Sequence, residues 1–170
     1  MTKIAFTCGG TGGHVYPAIA LAQGLQETDC CFIISNDRQD HSILARYAFT
    51  AHRIRSVRRN PFLFLFAIFQ SIHLLKQEAV TQLVATGGYF TVPVILAAKW
   101  LKIPIYLCEQ NVIPGRVTRL FSRWATMVFV AFNETKGYLK SDPIHVTGNP
   151  IRHTFQEDAL SKRIAQLSFP

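Results

Sequence analysis

The sequence lacks any apolar run long enough to cross a membrane. The longest run, Phe62–Phe69, has 8 residues, whereas a membrane-spanning helix needs about 18 or more. Glycines stand near the amino terminus where a secretory signal would need its apolar stretch. With 49% apolar and 16% charged residues among 170, the composition is typical of one folded domain of ordinary size. We therefore expect a cytoplasmic protein.

Cysteines and clustered metal ligands are also scarce. The four cysteines, Cys8, Cys30, Cys31 and Cys108, form no CxxC pair, so we expect buried, reduced thiols. The six histidines show no spacing typical of a metal site. We therefore predict no bound metal.

Acidic residues are few, 10 against 18 basic ones, which gives a formal net charge of +8. Residues 41–77 include six basic residues and no acidic one. The positive electrostatic potential of such a segment attracts phosphates, whether on nucleotides, nucleic acid or an anionic membrane. The aromatic block Phe62–Phe69 has no interleaved basic residues, so the pattern does not favour a nucleic-acid stacking platform. We predict no nucleic-acid partner.

Short apolar segments alternate with helical segments along the chain. The apolar segments lack strict polar alternation, which is typical of parallel strands covered on both faces. This order predicts an α/β fold with a doubly wound parallel sheet. The predicted strands are Lys3–Thr7, Cys30–Ser35, Ala51–Val57, Gln82–Ala85, Pro104–Cys108, Met127–Ala131 and Ile144–Thr147. The predicted helices are roughly Tyr16–Gln26, Arg38–Tyr47, Pro61–Glu78, Thr91–Leu101, Pro114–Arg123 and Asn133–Leu139.

Three loops that follow predicted strands have distinctive sequences. They are "GGTGGHVYP" from Gly9, "TGGYFTVP" from Thr86 and "CEQNVIPG" from Cys108. Ligands of doubly wound sheets bind at the carboxyl ends of the strands. A glycine-rich turn that opens a helix presents backbone N–H groups and the helix dipole to an anion. Pro17 suits the first turn of such a helix, which places His14 at the helix mouth and predicts a phosphate or diphosphate site.

The polar residues of these loops have more than one interpretation. His14 is a candidate general base because imidazole titrates near neutrality, but a histidine at a helix end can also serve only as a hydrogen-bond partner of the backbone. Glu109 has three candidate roles: it could act as a second base, orient His14, or form a hydrogen bond to sugar hydroxyls. Asn111 suits either a sugar contact or an N-cap of the helix near Pro114.

A dinucleotide site is a remote alternative. Gly10 and Gly12 begin a GxGxxG-like run, but Val15 occupies the place of its third glycine. Asp37, just past the second predicted strand, is a candidate ribose ligand. These residues leave an NAD(P)-dependent oxidoreductase open.

Together, the loops closely resemble the N-terminal half of the MurG family of glycosyltransferases. The matching stretches, in the family's order, are Gly9–Ala22, Thr86–Ala98, Glu109–Gly115 and Val146–Arg152. The resemblance implies a GT-B fold, in which two Rossmann-like domains face each other across a cleft. It also implies a hexosyltransferase of peptidoglycan synthesis that moves N-acetylglucosamine from UDP-N-acetylglucosamine to lipid I, giving lipid II, without a cofactor.

The resemblance further implies a division of the chain and roles for single residues. Residues 1–150 are expected to form the acceptor domain and residues 151–170 to begin an interdomain linker, with the domain that binds UDP-N-acetylglucosamine absent. His14 and Glu109 are implied to be catalytic, and Arg152 to contact the donor phosphates. The residues implied to bind the acceptor diphosphate and sugars are Gly9, Gly10, Thr11, Gly12, Gly13, Gly87, Gly88, Tyr89, Gln110 and Asn111.

The sequence departs from the family pattern in two ways. Cys108 stands where the family usually has histidine before the EQN triplet, and the chain has about half the family's length. If that histidine serves an essential role, the cysteine puts activity in doubt, whereas a packing role would tolerate it. Because the donor domain is absent, we expect that this chain alone does not transfer sugar. A non-catalytic lipid-binding or membrane-binding module, or one subunit of a split enzyme, stays open as an alternative.

A polyprenyl-linked acceptor requires contact with the bilayer surface, and the segment Arg58–Lys76 suits that contact. The first two turns of its predicted helix are apolar all round, and basic residues beside them attract anionic head groups. This pattern predicts an interfacial patch and a peripheral protein on the inner face of the cell membrane; the alternative is a core helix. The patch residues are Arg58, Arg59, Phe62, Phe64, Leu65, Phe66 and Trp100.

Overall fold

The structure is a computed structural model that describes residues 2–9, 12–25, 28–36, 42–55, 60–140 and 143–151. Seven strands lie within these ranges: β1 Lys3–Cys8, β2 Asp29–Ser35, β3 Thr50–Ile54, β4 Gln82–Ala85, β5 Ile105–Glu109, β6 Met127–Val130 and β7 Ile144–Val146. They form one sheet in the order β3-β2-β1-β4-β5-β6-β7, and every neighbouring pair is parallel. The predicted doubly wound parallel sheet is confirmed.

Four α-helices and three short 3₁₀ turns connect the strands in the described ranges, besides the helical residues 42–44. The helices are α1 Gly12–Gly24, α2 Pro61–Gln77, α3 Val92–Trp100 and α4 Arg116–Phe121. The 3₁₀ turns are Tyr89–Thr91, Ser122–Trp124 and Asn133–Tyr138. The start of α2 follows its sequence closely, because the Asn60 side chain accepts a hydrogen bond from the Phe62 N–H at 3.0 Å and Pro61 occupies the first helical position.

The start of α1 differs from its prediction. The helix begins at Gly12 and not near Tyr16, so Pro17 lies inside it. Proline at that position cannot donate a hydrogen bond to the Gly13 carbonyl, four residues earlier. The prediction that Pro17 belongs to the first turn is therefore wrong, although His14 does lie in the first turn.

Other boundaries differ in smaller ways. The predicted helix Asn133–Leu139 is a 3₁₀ turn instead, and the last α-helix is shorter than the predicted Pro114–Arg123. Strand β3 ends at Ile54. Of the predicted helix Arg38–Tyr47, residues 42–44 are helical, and 37–41, which include the ribose candidate Asp37, lie outside the described residues.

Helices lie on both sides of the sheet, which explains why strands such as β1 and β2 are buried along most of their length without alternation. On one side, α2 and α3 pack over strand residues such as Ala5, Ile33 and Leu83. On the other side, α1 packs over Phe6 and Phe32. Beyond α1 this second face has an apolar groove of about 420 Å³. Its lining includes Val84, Tyr106, Cys108 and Phe129.

The strand order brings three loops to one edge of the sheet. Strands β1, β4 and β5 are neighbours, and the chain reverses its direction across the sheet between β1 and β4. Such a switch point opens a crevice at the carboxyl ends of the strands. The loops after β1, β4 and β5 are the three that the sequence singles out.

Candidate active site

The two glycine-rich loops touch each other at the switch point. A Cβ atom added to Gly88 would lie 2.3 Å from the Gly9 carbonyl oxygen, and one added to Gly87 would lie 3.0 Å from Nδ1 and Cε1 of His14. Both glycines also have positive φ angles, +104° for Gly87 and +93° for Gly88, which side chains rarely tolerate. The second loop therefore needs glycine to admit the first loop and the histidine ring.

His14 is partly buried in the first turn of α1. Its Nδ1 atom lies 2.9 Å from the backbone carbonyl oxygen of Thr86. Because a carbonyl oxygen only accepts hydrogen bonds, Nδ1 must carry the proton in this contact. In the neutral ring the Nε2 atom then keeps its lone pair, as a general base requires.

Glu109 ends β5 with its side chain buried, only 5% of the residue being exposed. Its Oε1 atom accepts hydrogen bonds from the N–H and the side-chain amide of Asn111, at 3.1 and 3.0 Å. Its Oε2 atom accepts from the Gly115 N–H at 2.9 Å and from the Thr118 hydroxyl at 2.7 Å. Four donors account for the lone pairs of both oxygens. The geometry therefore favours a positioning role for this carboxylate over a role as second base.

These contacts also test one of the two interpretations of Asn111, the N-cap. The N-cap residue of α4 is Gly115, which has no side chain that could accept a hydrogen bond from the first turn. The Glu109 carboxylate instead accepts from the Gly115 N–H, which places a negative charge at the positive end of α4. The N-cap interpretation of Asn111 is therefore wrong, and its exposed side chain faces the cleft.

A cleft of about 430 Å³ lies between the three loops. Of the predicted site residues, its lining contains His14, Gly87, Gly88, Tyr89, Glu109 and Asn111. The lining also includes Arg116 and Thr118, which sequence reasoning missed. The only signal for them was their position at the start of a predicted helix that follows a strand and the dipeptide Pro-Gly.

A second cavity, of about 300 Å³, lies beside the first turns of α1. Gly12, Gly13 and Gln110 line it together with Asn149 and Pro150, from the loop after β7. The predicted residues for the diphosphate and sugars are thus divided, with Gly87 and Gly88 at the first cavity and Gly12 and Gly13 at the second. Five of the predicted site and patch residues lie outside the described residues: Gly10, Thr11, Arg58, Arg59 and Arg152.

Cys108, which replaces the family's usual histidine, lies away from this chemistry. It is buried and lines the apolar groove on the α1 side of the sheet, and the cleft that contains His14 has no contribution from it. Burial raises the pKa of the Cys108 thiol to about 12, so the thiol is neutral near pH 7 and a poor nucleophile. The substitution therefore removes no titratable group from the His14 cleft.

The first turns of α2 expose large apolar side chains. Phe62 is 82% exposed and Phe66 54% exposed, with Leu65 also exposed and Phe64 partly buried. The helix buries only Ala67, Ser71 and Leu75 among its 17 residues, which argues against a simple core helix. Trp100 is 78% exposed, but it ends α3 shortly before β5 begins. It therefore lies towards the amino-terminal ends of the strands, whereas Phe62 lies towards their carboxyl ends.

None of the helices within the described ranges combines the length and apolar character needed to span a bilayer.

Solved structures share this architecture. The chain is similar to the crystal structure of Acinetobacter baumannii MurG, with a TM-score of 0.80 and 29% identity over 92% of this chain and 48% of that one. It also shares its fold with UDP-GlcNAc 2-epimerase from Neisseria meningitidis, at a TM-score of 0.71 and 16% identity over 98% of this chain and 53% of that one. The chain therefore has the Rossmann-like fold of one GT-B domain, as predicted.

The family follows from the sequence matches. The profile of the glycosyltransferase family 28 N-terminal domain matches residues 4–130, and the chain belongs to this family. Two similar relatives are both named UDP-N-acetylglucosamine--N-acetylmuramyl-(pentapeptide) pyrophosphoryl-undecaprenol N-acetylglucosamine transferase. The one from Prochlorococcus marinus subsp. pastoris is 35% identical over 91% of this chain and 45% of its own length. The one from Natranaerobius thermophilus is 37% identical over 87% and 44%.

The resemblance to the MurG family is thereby confirmed for the N-terminal domain. The chain spans about half the length of the curated relatives it matches.

The contact between the glycine loops gives a prediction for stability. Gly88→Ala places a methyl group against the Gly9 carbonyl and forces alanine to a positive φ angle, so we expect a loss of about 1–3 kcal/mol in the free energy of unfolding. Gly24→Ala is the matched control, because open space surrounds Gly24 and alanine favours the helix. Urea unfolding of both variants measures the difference. Equal stability of the two variants would contradict the loop contact.

Proposed function

We propose that this chain is the acceptor-binding half of an inverting glycosyltransferase. The whole enzyme moves N-acetylglucosamine from UDP-N-acetylglucosamine to the muramyl C4 hydroxyl of lipid I, giving lipid II. The observation that carries the proposal is the ring of His14, which is held by a backbone carbonyl at the edge of a cleft between two glycine-rich loops. The names of the relatives supply the substrates.

The glycine turn suits the diphosphate of the acceptor. Gly9 precedes α1, and Gly12 and Gly13 form its start. The first N–H groups of a helix have no partners within it, and its dipole favours an anion. The net charge of +8 supports the approach of a polyanionic lipid. Gly87 and Gly88 form the adjoining wall, and the two cavities beside the turn leave room for the sugar on one side and for the donor on the other.

In the proposed reaction, Nε2 of His14 takes the proton of the C4 hydroxyl. The hydroxyl oxygen forms a bond to the anomeric carbon of N-acetylglucosamine while the bond from that carbon to the UDP oxygen breaks. The products are the new glycosidic bond, UDP and an imidazolium ion, and a single displacement inverts the anomeric centre. The step needs no cofactor.

Other residues of the site bind and orient the substrates. Glu109 holds Asn111 and the start of α4 in place, so that the Asn111 amide, the Tyr89 hydroxyl and Gln110 can contact sugar hydroxyls. We assign Glu109 a positioning role for this reason. Arg152 follows the Asn149-Pro150 corner of the second cavity and is proposed to contact the donor phosphates.

Donor binding is proposed to come from a second domain. The relatives are about twice the length of this chain, and a GT-B enzyme places its donor in the domain across the cleft. On this proposal the chain alone binds acceptor but transfers no sugar.

The exposed start of α2 is proposed to rest on the membrane that carries the acceptor. Phe62, Leu65 and Phe66 lie near the edge of the sheet that bears the cleft, because α2 starts at the carboxyl end of the strands. Burial of such side chains in the interface, with Arg58 and Arg59 beside anionic head groups, gives peripheral attachment. The proposed location is the cytoplasmic face of the cell membrane.

The base assignment predicts a separation of binding from turnover. In a protein that carries both halves, we expect His14→Gln to lower kcat by about 10²–10⁴-fold, while the affinity for a short-chain lipid I analogue changes little. Glutamine can still donate to the Thr86 carbonyl but cannot act as a base. The exposed residue His145 gives the control, since His145→Ala should keep full turnover. A His14→Gln enzyme with normal kcat would refute the base assignment.

The membrane proposal predicts a localised effect in vesicle sedimentation. We expect the double variant Phe62→Ser and Phe66→Ser to bind vesicles of anionic phospholipid at least about tenfold more weakly, because two large apolar side chains no longer enter the interface. Leu120→Ser removes an equally exposed apolar side chain from α4 and should have no effect. If both proteins sediment like the unchanged chain, the start of α2 is not the membrane contact.

A further inference from the structure

Thr86 connects to His14 through two hydrogen bonds. Its backbone carbonyl accepts from Nδ1 of His14 at 2.9 Å, and its hydroxyl donates to the backbone carbonyl of His14 at 2.7 Å. Its own N–H donates to the Thr7 carbonyl at 3.2 Å. Only 1% of Thr86 is exposed. All its polar groups are therefore engaged, and two of them hold one residue of the neighbouring loop.

The two bonds act on different parts of His14. The hydroxyl fixes the backbone of His14, and hence the first turn of α1, relative to the end of β4. The carbonyl then meets the ring at a set distance and accepts only from a protonated Nδ1. An imidazole free in water populates both neutral tautomers, whereas this contact favours the one that leaves Nε2 unprotonated.

The two glycines after Thr86 also lie against the His14 ring. A Cβ on Gly87 would lie 3.0 Å from Nδ1, and a Cβ on Gly88 would lie 3.5 Å from Cδ2. The ring thus packs against the backbone of the loop that Thr86 begins. Orientation and tautomer are set by the same three residues.

We propose that Thr86 is a positioning residue that fixes the tautomer and orientation of His14. The hydroxyl acts indirectly, by keeping the His14 backbone where its ring reaches the Thr86 carbonyl. This inference rests on the proposed function in one respect only, namely that the Nε2 lone pair serves as the base.

The test is the nitrogen NMR spectrum of the His14 ring in the chain without any ligand. Long-range correlations between ring protons and nitrogens, in protein labelled at histidine, distinguish an Nδ1–H ring from an Nε2–H ring, and His14→Gln assigns the signals by their loss. We expect the Nδ1–H tautomer to dominate in the unchanged chain. Thr86→Val keeps the shape but lacks the donor, and we expect it to shift the tautomer ratio towards Nε2–H by about fivefold, as weakening one ordinary hydrogen bond would.

Two further variants separate positioning from stability. Thr86→Ser retains the hydroxyl and should retain the original tautomer ratio. Thr91→Val is the matched control, because the Thr91 hydroxyl is also buried in this loop and donates to a carbonyl, that of Gly88 at 2.8 Å. We expect Thr91→Val to lower the melting temperature to a similar degree and to leave the His14 ring unchanged.

Several outcomes would overturn the proposal. An Nε2–H ring in the unchanged chain would do so at once, even if every variant failed to fold. Equal shifts in Thr86→Val and Thr91→Val would reduce the role of Thr86 to general packing, and so would an unchanged ratio in a folded Thr86→Val protein. Because no substrate is present, failure of the chain to bind a lipid would refute the proposed function and leave this result intact.

Discussion

The close approach of the two glycine loops is the constraint on which the site depends. They leave the adjacent parallel strands β1 and β4, whose axes lie only about 4.8 Å apart, and both turn towards the same crevice. Side chains on both loops would collide, as the 2.3 Å between a Cβ on Gly88 and the Gly9 carbonyl makes plain. With glycine there, the backbones meet, and the ring of His14 packs directly on the second loop. Glycine at positions 87 and 88 is therefore required by the contact with the first loop and with His14, before any ligand is considered.

Hydrogen bonding divides the polar residues of the cleft into two groups. The Glu109 carboxylate binds four donors of its own loop, which fixes the start of α4 and the direction of Asn111. His14 uses its Nδ1 nitrogen for a contact with the Thr86 carbonyl, and the proposed base is the other ring nitrogen, Nε2. A buried carboxylate beside an imidazole suggests a catalytic pair from sequence alone. The hydrogen bonds instead favour a supporting role for Glu109, and they are consistent with the base proposed at Nε2 of His14.

Sequence patterns predicted most of the framework because its signals are local. Most strands are short apolar runs bounded by glycine, proline or polar residues, β3 with its sequence TAHRI being the exception. The three loops were recognised because parallel strands end at one edge of the sheet. The start of α1 was misplaced because Pro17 suits a first turn, whereas the structure places it in the second turn of the helix. The turn Asn133–Tyr138 contains Gly137, a poor helix former, and is 3₁₀.

The roles within the site were harder to predict because they depend on distant contacts. Glu109 binds residues six and nine positions later, a spacing that follows from the path of the loop and matches no helical or strand period. Thr86 lies 72 positions from His14, and a single threonine before two glycines gives no signal of its own. The sequence left open whether Cys108 affects the site, but alternation along β5 turns its side chain towards the apolar groove and that of Glu109 towards the cleft.

The central claim is that this cleft takes the diphosphate-linked acceptor and not a nucleotide. Titration of the purified chain with a short-chain lipid I analogue, in parallel with UDP-N-acetylglucosamine and NADH, tests it most directly. We predict saturable binding of the lipid analogue, with amide NMR shifts at Gly12, Gly13 and His14, and much weaker binding of the other two compounds. Binding of NADH at the glycine turn, with no response to the lipid analogue, would contradict the claim and favour a dinucleotide site.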